Sequence, residues 1–514
     1  MAATLTVFDG ASSIGGNKIH VESGGKGAFL DFGTNYKRMS QFYEEYLKPR
    51  SVRGVHDYLA MGLVPPLDIY RDDLFPSDLR AKLRRVRVDG LFLTHAHMDH
   101  AGCIGLLDTK IPVYASPMTA AILKAHQDSG KAELPHQVAY VTPRQRSKEE
   151  KRLLESTDWK KVNHIGRSFF LTSRPTKEFK EFWASVPGGR ALSPKELGEA
   201  GEESPLPLRA WEVDHSIYGA TAYALETDGG WVVYTGDLRM HGARANETKR
   251  FVREAAGLDP KVLIIEGTRV GREKAGEESE EDVYRNCLAA VRAEDKLVVA
   301  DFQPRHFERL DTFLRIARDV GRRLVVTARD AYMLEAVRLV DGVDRMKGLL
   351  IFQELKEKKD KWEQKILEKF KNSLVDPRDV TGDPSSYILS FSFWDVKNLL
   401  DIGAEGGTYV YSSSEAFTEE VEFDFIRLWE WLRFFKFNVA GFRIESSGDR
   451  RYPEFDRGYH ASGHASPEEL LRIVEETGPE IVIPVHTEHP EFFKKNVRGR
   501  KVRLVENGGK IKIS

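Results

Sequence analysis

Thr94-His95-Ala96-His97-Met98-Asp99-His100 follows directly on the apolar run Gly90-Leu91-Phe92-Leu93. The run has the length and character of a buried strand. The heptapeptide then places three imidazoles and one carboxylate at the strand's end. His95 and His97 are two apart and Asp99 keeps that parity, so an extended chain would turn all three to one side, with His100 at the following turn. A lone histidine is usually a surface or core residue. Four such groups together are costly to bury without partners, and they are the ligand types that zinc and similar divalent ions take. The segment predicts a metal site, dense enough for two ions.

Composition is compatible with a globular enzyme. The 514 residues call for two or more domains. Hydrophobic residues make up 41% and charged residues 30%, so neither disorder nor a membrane-protein balance is indicated. No apolar stretch approaches the roughly 18 residues of a membrane span, and the N-terminus lacks the basic and apolar regions of a secretory signal. Cys103 and Cys287 are the only cysteines. They give no disulfide framework and predict a reducing, cytoplasmic setting. The formal net charge of −2 leaves any anionic substrate to be held by local groups.

Outward from the heptapeptide, the first hundred residues read as a β-meander leading to Asp31 in Phe29-Leu30-Asp31-Phe32-Gly33. Residues 125–208, with a Lys- and Glu-rich helix over 145–163, read as a largely helical excursion, either a wall of the site or a surface insertion. Strands resume at Leu208–Val213 and end in Asp214-His215-Ser216. Others end in Thr235-Gly236-Asp237 and Glu266-Gly267-Thr268. Polar residues at successive strand ends build a site on a rigid scaffold. From about 279, strand and helix alternate, which predicts a parallel α/β domain; the aromatic helix over 423–435 reads as core. Two further histidine clusters follow, Tyr459-His460-Ala461-Ser462-Gly463-His464-Ala465-Ser466 and Val485-His486-Thr487-Glu488-His489.

Taken in order, these motifs resemble the metallo-β-lactamase superfamily. His95 to His100 match its H-x-H-x-D-H signature, and Asp31, His215 and Asp237 its other site motifs. The contexts of His215 and Asp237 are similar to the nucleic-acid-processing β-CASP branch. In that branch Glu266, His464 and His486 match three further motifs, and Ser462-Gly463-His464-Ala465-Ser466 is closest to RNase J-like nucleases. The resemblance covers nearly the whole chain except about 125–208 and parts of 345–385. It implies an α/β fold: a metallo-β-lactamase αββα sandwich over 1–270 and 446–514, with a parallel β-CASP domain inserted at 271–445.

The resemblance also implies roles. His95, His97 and His215 would hold one ion, Asp99, His100 and His486 a second, and Asp237 would bridge them. The ions would be two Zn2+, with Mn2+ as the alternative. Asp31 would orient a ligand histidine or serve as a plain turn residue. Glu266 and His464, with Asp99 and Asp237, would be the catalytic groups, Glu266 and His464 acting as a proton relay. Ser412-Ser413-Ser414, Ser462, Ser466 and Arg305 are candidates for binding substrate phosphate; a plain Ser-rich turn and a helix cap are the competing readings. His241, His306, His460 and His489 are left as supporting or solvent-facing residues.

The expected activity is a metal-dependent ribonuclease hydrolysing RNA phosphodiester bonds, 5′-to-3′ as an exonuclease with endonuclease action open. Single-stranded RNA or DNA is the expected partner, with no membrane and with a homodimer open. A DNA nuclease of the same branch, a small-molecule metallohydrolase of thioesterase or lactonase type, and a non-catalytic scaffold are the alternatives. Three features depart from RNase J-like chains: His486-Thr487-Glu488 in place of His-Gly-Glu, the long 125–208 excursion, and a chain that stops soon after His486, which is expected to lack a C-terminal domain.

Overall fold

The computed structural model describes residues 2–44, 46–130, 133–201, 203–272, 278–413, 419–448 and 450–514. The chain divides into two compact units, one formed by residues 1–272 with 464–514 and the other by 273–463.

The first unit is built on two sheets. Eight strands form one, running from the edge strand Leu197–Glu199 through Phe169–Leu171, Val113–Ala115, Gly90–Phe92, Lys26–Leu30, Lys18–Ser23 and Ala3–Asp9 to the edge strand Gly509–Ile513. Six form the other: Leu208–Glu212, Thr221–Thr227, Gly230–Tyr234, Val262–Ile265, Ile481–Pro484 and Lys501–Val502. Alternate residues of the two sheets interleave in one core that joins Leu5, Val7, Ile19 and Val21 to Tyr223, Leu225, Val262 and Ile264. The other face of the six-stranded sheet carries Val233, Leu263 and Val482, and packs on Phe251 and Val252 of the helix Ala245–Ala256 and on Leu470 and Ile473 of Pro467–Thr477. Strands so covered on both faces read as near-continuous apolar runs, and Val262-Leu263-Ile264-Ile265 is one. Their polar residues are displaced to the ends, which is where the site lies.

Residues 125–208 are not the largely helical excursion the sequence suggests. Helix Pro117–Ser129 enters the region and Lys177–Trp183 is a second helix, but the other described residues form short strands, turns and one 3-10 turn at Leu134–His136. The stretch 145–163 lacks an apolar stripe at helical spacing, so a helix there would have nothing to bury. It forms instead the antiparallel pair Arg144–Arg146 and Leu154–Ser156. The apolar Phe169–Leu171 joins the eight-stranded sheet beside Val113–Ala115.

The second unit has a seven-stranded sheet, parallel throughout, with helices between its strands, as strand–helix alternation predicts. Phe425, Leu428 and Leu432 of the helix Glu419–Phe434 sit in its core, so that aromatic helix is core rather than a stacking platform. The hairpin Phe442–Ser447 and Arg450–Phe455 packs Phe442 and Phe455 on Phe425, ring centroids 5.0 Å apart in each case. It therefore stays with this unit, and the chain rejoins the first unit at His464 rather than near 446.

Candidate metal centre

The heptapeptide does not stay extended. The chain turns into a short helix at Met98–Ala101, with His97 as the residue before it. This breaks the parity expected of Asp99 and sorts the segment into two groups. Donor atoms of His95, His97 and His215 converge, and so do those of Asp99, His100, Asp237 and His486. Within each group the atoms lie within 4.8 Å of one another.

Asp237 is common ground. Its Oδ2 is 3.2 Å from His100 Nε2, 3.7 Å from both His95 Nε2 and His486 Nε2, 3.9 Å from His464 Nδ1 and 4.0 Å from His215 Nε2. Two buried atoms among them have no hydrogen-bond partner. Asp237 Oδ1 is orphaned, and His100 Nε2 is too, because its approach to Asp237 lacks hydrogen-bond alignment. His95 Nε2 and His97 Nδ1 face each other at 3.1 Å, and His215 Nε2 and His97 Nδ1 at 3.3 Å. Convergent imidazole nitrogens and an orphaned carboxylate oxygen fit a bound divalent cation, which satisfies acceptors that protein donors leave unpaired. The residues present fit a metal.

The electrostatics agree. Burial works against the Asp237 carboxylate, yet His100 and His486 hold its pKa well below the ordinary range. Burial lowers His100, but Asp237, Asp31 and Asp99 outweigh it and raise the imidazole well above its usual value. Burial, reinforced by His100, pushes His95 well below.

The ligand loops are held by neighbours. Asp31, fully buried, takes φ +57°, uncommon for a residue with a side chain and typical of functional sites. Its Oδ2 lies 2.7 Å from His100 Nδ1 and accepts the Tyr234 hydroxyl at 2.8 Å; its Oδ1 accepts the Thr94 amide at 2.8 Å. That is the geometry of a group that orients a ligand histidine and fixes its tautomer. His486 also has positive φ, +52°, and its Nδ1 accepts the Gly15 amide at 3.3 Å. A Cβ at Gly15 would stand 2.7 Å from Asp99 Cβ, so only glycine lets that loop approach.

Glu266 and His464 meet as read from the sequence. His464 Nδ1 is 3.1 Å from both carboxylate oxygens of Glu266, which also accepts the Leu238 amide and the Thr268 hydroxyl. Burial alone would lower His464; the charge and hydrogen bond of Glu266, then Asp237, raise it instead.

The candidate phosphate binders fare differently. Ser466 caps the helix Pro467–Thr477 in a reciprocal box with Glu469, so its hydroxyl has a structural use. Ser412, 1% exposed, accepts from Arg309 Nη1 and donates to the Tyr459 carbonyl within the second unit. Ser413 and Arg305 are half-buried, and so is Ser462, two residues before His464; Ser414 lies outside the described residues. His306 caps the helix Phe307–Asp319, and His241 pairs with Glu469 at 3.5 Å.

Sequence reading missed a clamp. Asp214, next to His215, accepts Arg239 Nε at 3.1 Å, and both residues are fully buried. The pair ties the His215 strand end to the loop carrying Asp237. Charged residues flanking two ligands were the available signal, but only the fold brings them together.

Family comparison fits this geometry. Residues 71–162 match the model of the metallo-beta-lactamase superfamily, and 456–503 match that of the Zn-dependent metallo-hydrolase RNA specificity domain. Both matches fall within the metallo-β-lactamase superfamily, and the chain is similar to its RNase J-like proteins. The first match runs to residue 162, into the stretch where the sequence resemblance fades, and the second contains His464 and His486. The chain is 21% identical to Ribonuclease J of Pyrococcus abyssi (strain GE5 / Orsay), over 99% of this chain and 97% of that protein. It is 22% identical to Ribonuclease J of Sinorhizobium meliloti (strain Sm2011 / Rm2011 / 2011), over 83% of this chain and 61% of that one. A crystal structure of a protein of unknown function from Enterococcus faecalis V583 shares the fold, with TM-score 0.68, 21% identity and full coverage of both chains. Among the described residues no helix is long and apolar enough to cross a membrane.

Proposed function

We propose that this protein is a metal-dependent ribonuclease that hydrolyses RNA phosphodiester bonds, working 5′-to-3′ on single-stranded RNA with two Zn2+ ions. The observation that carries the reading is Asp237 Oδ2 standing between two donor groups, with the Glu266–His464 pair beside it. End-to-end similarity to a ribonuclease J supports RNA as the substrate.

In this reading His95, His97 and His215 hold one ion, and Asp99, His100 and His486 the other, with Asp237 shared. When bound, such ions supply Lewis-acid polarisation of a phosphoryl oxygen and acidification of water. The chain does the rest. Asp31 keeps His100 Nδ1 engaged, so that Nε2 faces the centre. Glu266 engages His464 Nδ1 and favours the protonated ring, leaving Nε2–H to deliver a proton to the leaving oxygen. The buried Asp214–Arg239 pair keeps His215 and Asp237 in register.

The test is degradation of 5′-monophosphorylated RNA, triphosphorylated RNA and matched single-stranded DNA, with and without a chelator. Chelator-sensitive, stepwise release of nucleotides from monophosphorylated RNA is the expected result. Inertness toward all three polymers, with hydrolysis of a thioester instead, would overturn the reading.

A further inference from the structure

Lys494-Lys495-Asn496-Val497-Arg498-Gly499-Arg500-Lys501-Val502-Arg503 holds six cations in ten residues and no acid, in a chain whose formal net charge is only −2. All six are exposed. The segment carries the edge strand Lys501–Val502 of the six-stranded sheet, and the edge strand Gly509–Ile513 of the eight-stranded sheet adds exposed Lys510 and Lys512. The two edges border a hollow of about 600 Å³ lined by Arg500, Lys501, Arg503, Lys512 and the ion pair Lys261–Glu480, whose atoms are 2.9 Å apart. Among the described residues, Lys261 is the one lining cation with a carboxylate partner.

This hollow is not part of the metal centre. It lies at the starts of Val262–Ile265 and Ile481–Pro484, strands whose far ends carry Glu266 and His486. Five steps from Lys261 to Glu266 span roughly 16 Å at strand rise. Like charges packed this closely repel one another, so they favour a polyanion that brings many phosphates at once. Guanidinium groups also match phosphate geometry better than a lone ammonium does.

We propose that this basic hollow is a second RNA-binding site, an exosite that holds the phosphate backbone of a strand away from the metal centre. That the strand is substrate rests on the ribonuclease reading; the affinity for a phosphodiester backbone does not. Lysine and arginine on edge strands also discourage edge-to-edge pairing of sheets, and that role predicts a different outcome.

The experiment compares the full chain with Arg500→Gln/Lys501→Gln/Arg503→Gln, measuring anisotropy of labelled RNA in chelator across a salt series. Equal melting temperatures, and equal turnover of a short RNA where the wild type turns it over, show that the variant is folded. Loss of three phosphate contacts should weaken binding of a strand of about 40 nucleotides by roughly tenfold or more near 0.1 M salt. The slope of log affinity against log salt should fall by about 2. A dinucleotide, too short to reach from the hollow to the metal centre, should lose far less. Unchanged long-strand affinity and salt slope would overturn the proposal, most clearly if the variant self-associates, because the cations would then only guard the sheet edges. Tighter capture of an acidic polypeptide than of RNA would overturn it too. If the wild type cleaves no RNA, the ribonuclease reading fails, while the anisotropy series still decides the exosite.

Discussion

At the strand ends of the first unit, Asp237 is buried within 4.0 Å of nitrogens from five imidazoles, and its carboxyl is held well below the usual range. At the strand ends of the second, Asp301 is buried with the Tyr409 hydroxyl at 2.6 Å, and burial pushes its pKa up to about 7. Asp330 there caps the start of a helix with Thr327 and rises to about 6, again through burial. Both units collect acids at the ends of buried strands, yet the same side chain is kept as an anion in one and driven towards neutrality in the other. The difference is the partner. An imidazole cluster compensates a carboxylate and leaves its second oxygen free to face a cation. A lone hydroxyl does neither. Position at a strand end is therefore weak evidence of chemistry, and the composition of the surrounding shell is what discriminates.

The most severe way to break the contrast is Asp237→Asn, which keeps the shape and removes the charge. Activity should fall roughly 10³-fold or more, with loss of bound metal; full activity would remove the shared-ligand assignment. His464→Ala comes next. Metal content should be unchanged, while kcat falls by roughly 10²–10³-fold. Metal loss in that variant would make His464 a ligand rather than an acid, as its place beside His215 and Asp237 also allows.

For the second unit the expected effects are on stability and have a pH signature. Asp301 has a folded-state pKa above its ordinary value. The stability it contributes is full below about pH 4 and is lost as pH rises through about 7. Asp301→Asn should therefore match the wild type near pH 4 and exceed it by roughly 4 kcal/mol at pH 8, read by denaturant melts at both values. A variant less stable at pH 8 would show that Asp301 works as an anion, and the contrast with Asp237 would collapse. The smallest effect is Ser412→Ala. Its hydroxyl serves Arg309 and Tyr459 inside the unit, so the expected change is a loss of about 1–2 kcal/mol with KM for RNA unaltered. A raised KM at unchanged stability would restore Ser412 as a substrate contact.

These same residues show what the sequence could reveal. The metal centre was legible because ligation needs rare residue types, and rare types in order along the chain are conspicuous; His95, His215, Asp237 and His486 need no contact information to be suspected. Glu266 was legible as an acid at a strand end and His464 as part of a histidine cluster, but their pairing was legible only through resemblance. The serines are ambiguous in sequence because serine serves caps, turns and phosphates with one hydroxyl. Ser466 is a helix cap, and its Glu469 partner three residues on was a visible capping-box signal. The 145–163 stretch misled: charge density suggested a helix, but without an apolar stripe no helix had a face to bury. The Asp214–Arg239 clamp could not be read at all, because 25 positions and the strand pair Thr221–Thr227 and Gly230–Tyr234 separate its members in sequence.

The central claim is that two donor groups sharing Asp237 hold two metal ions. Anomalous diffraction at the zinc edge from zinc-loaded crystals of the wild-type chain tests it most directly. Two peaks are predicted, one among His95, His97 and His215 and one among Asp99, His100 and His486, each adjoining Asp237. A single peak, or peaks that avoid Asp237, would contradict it.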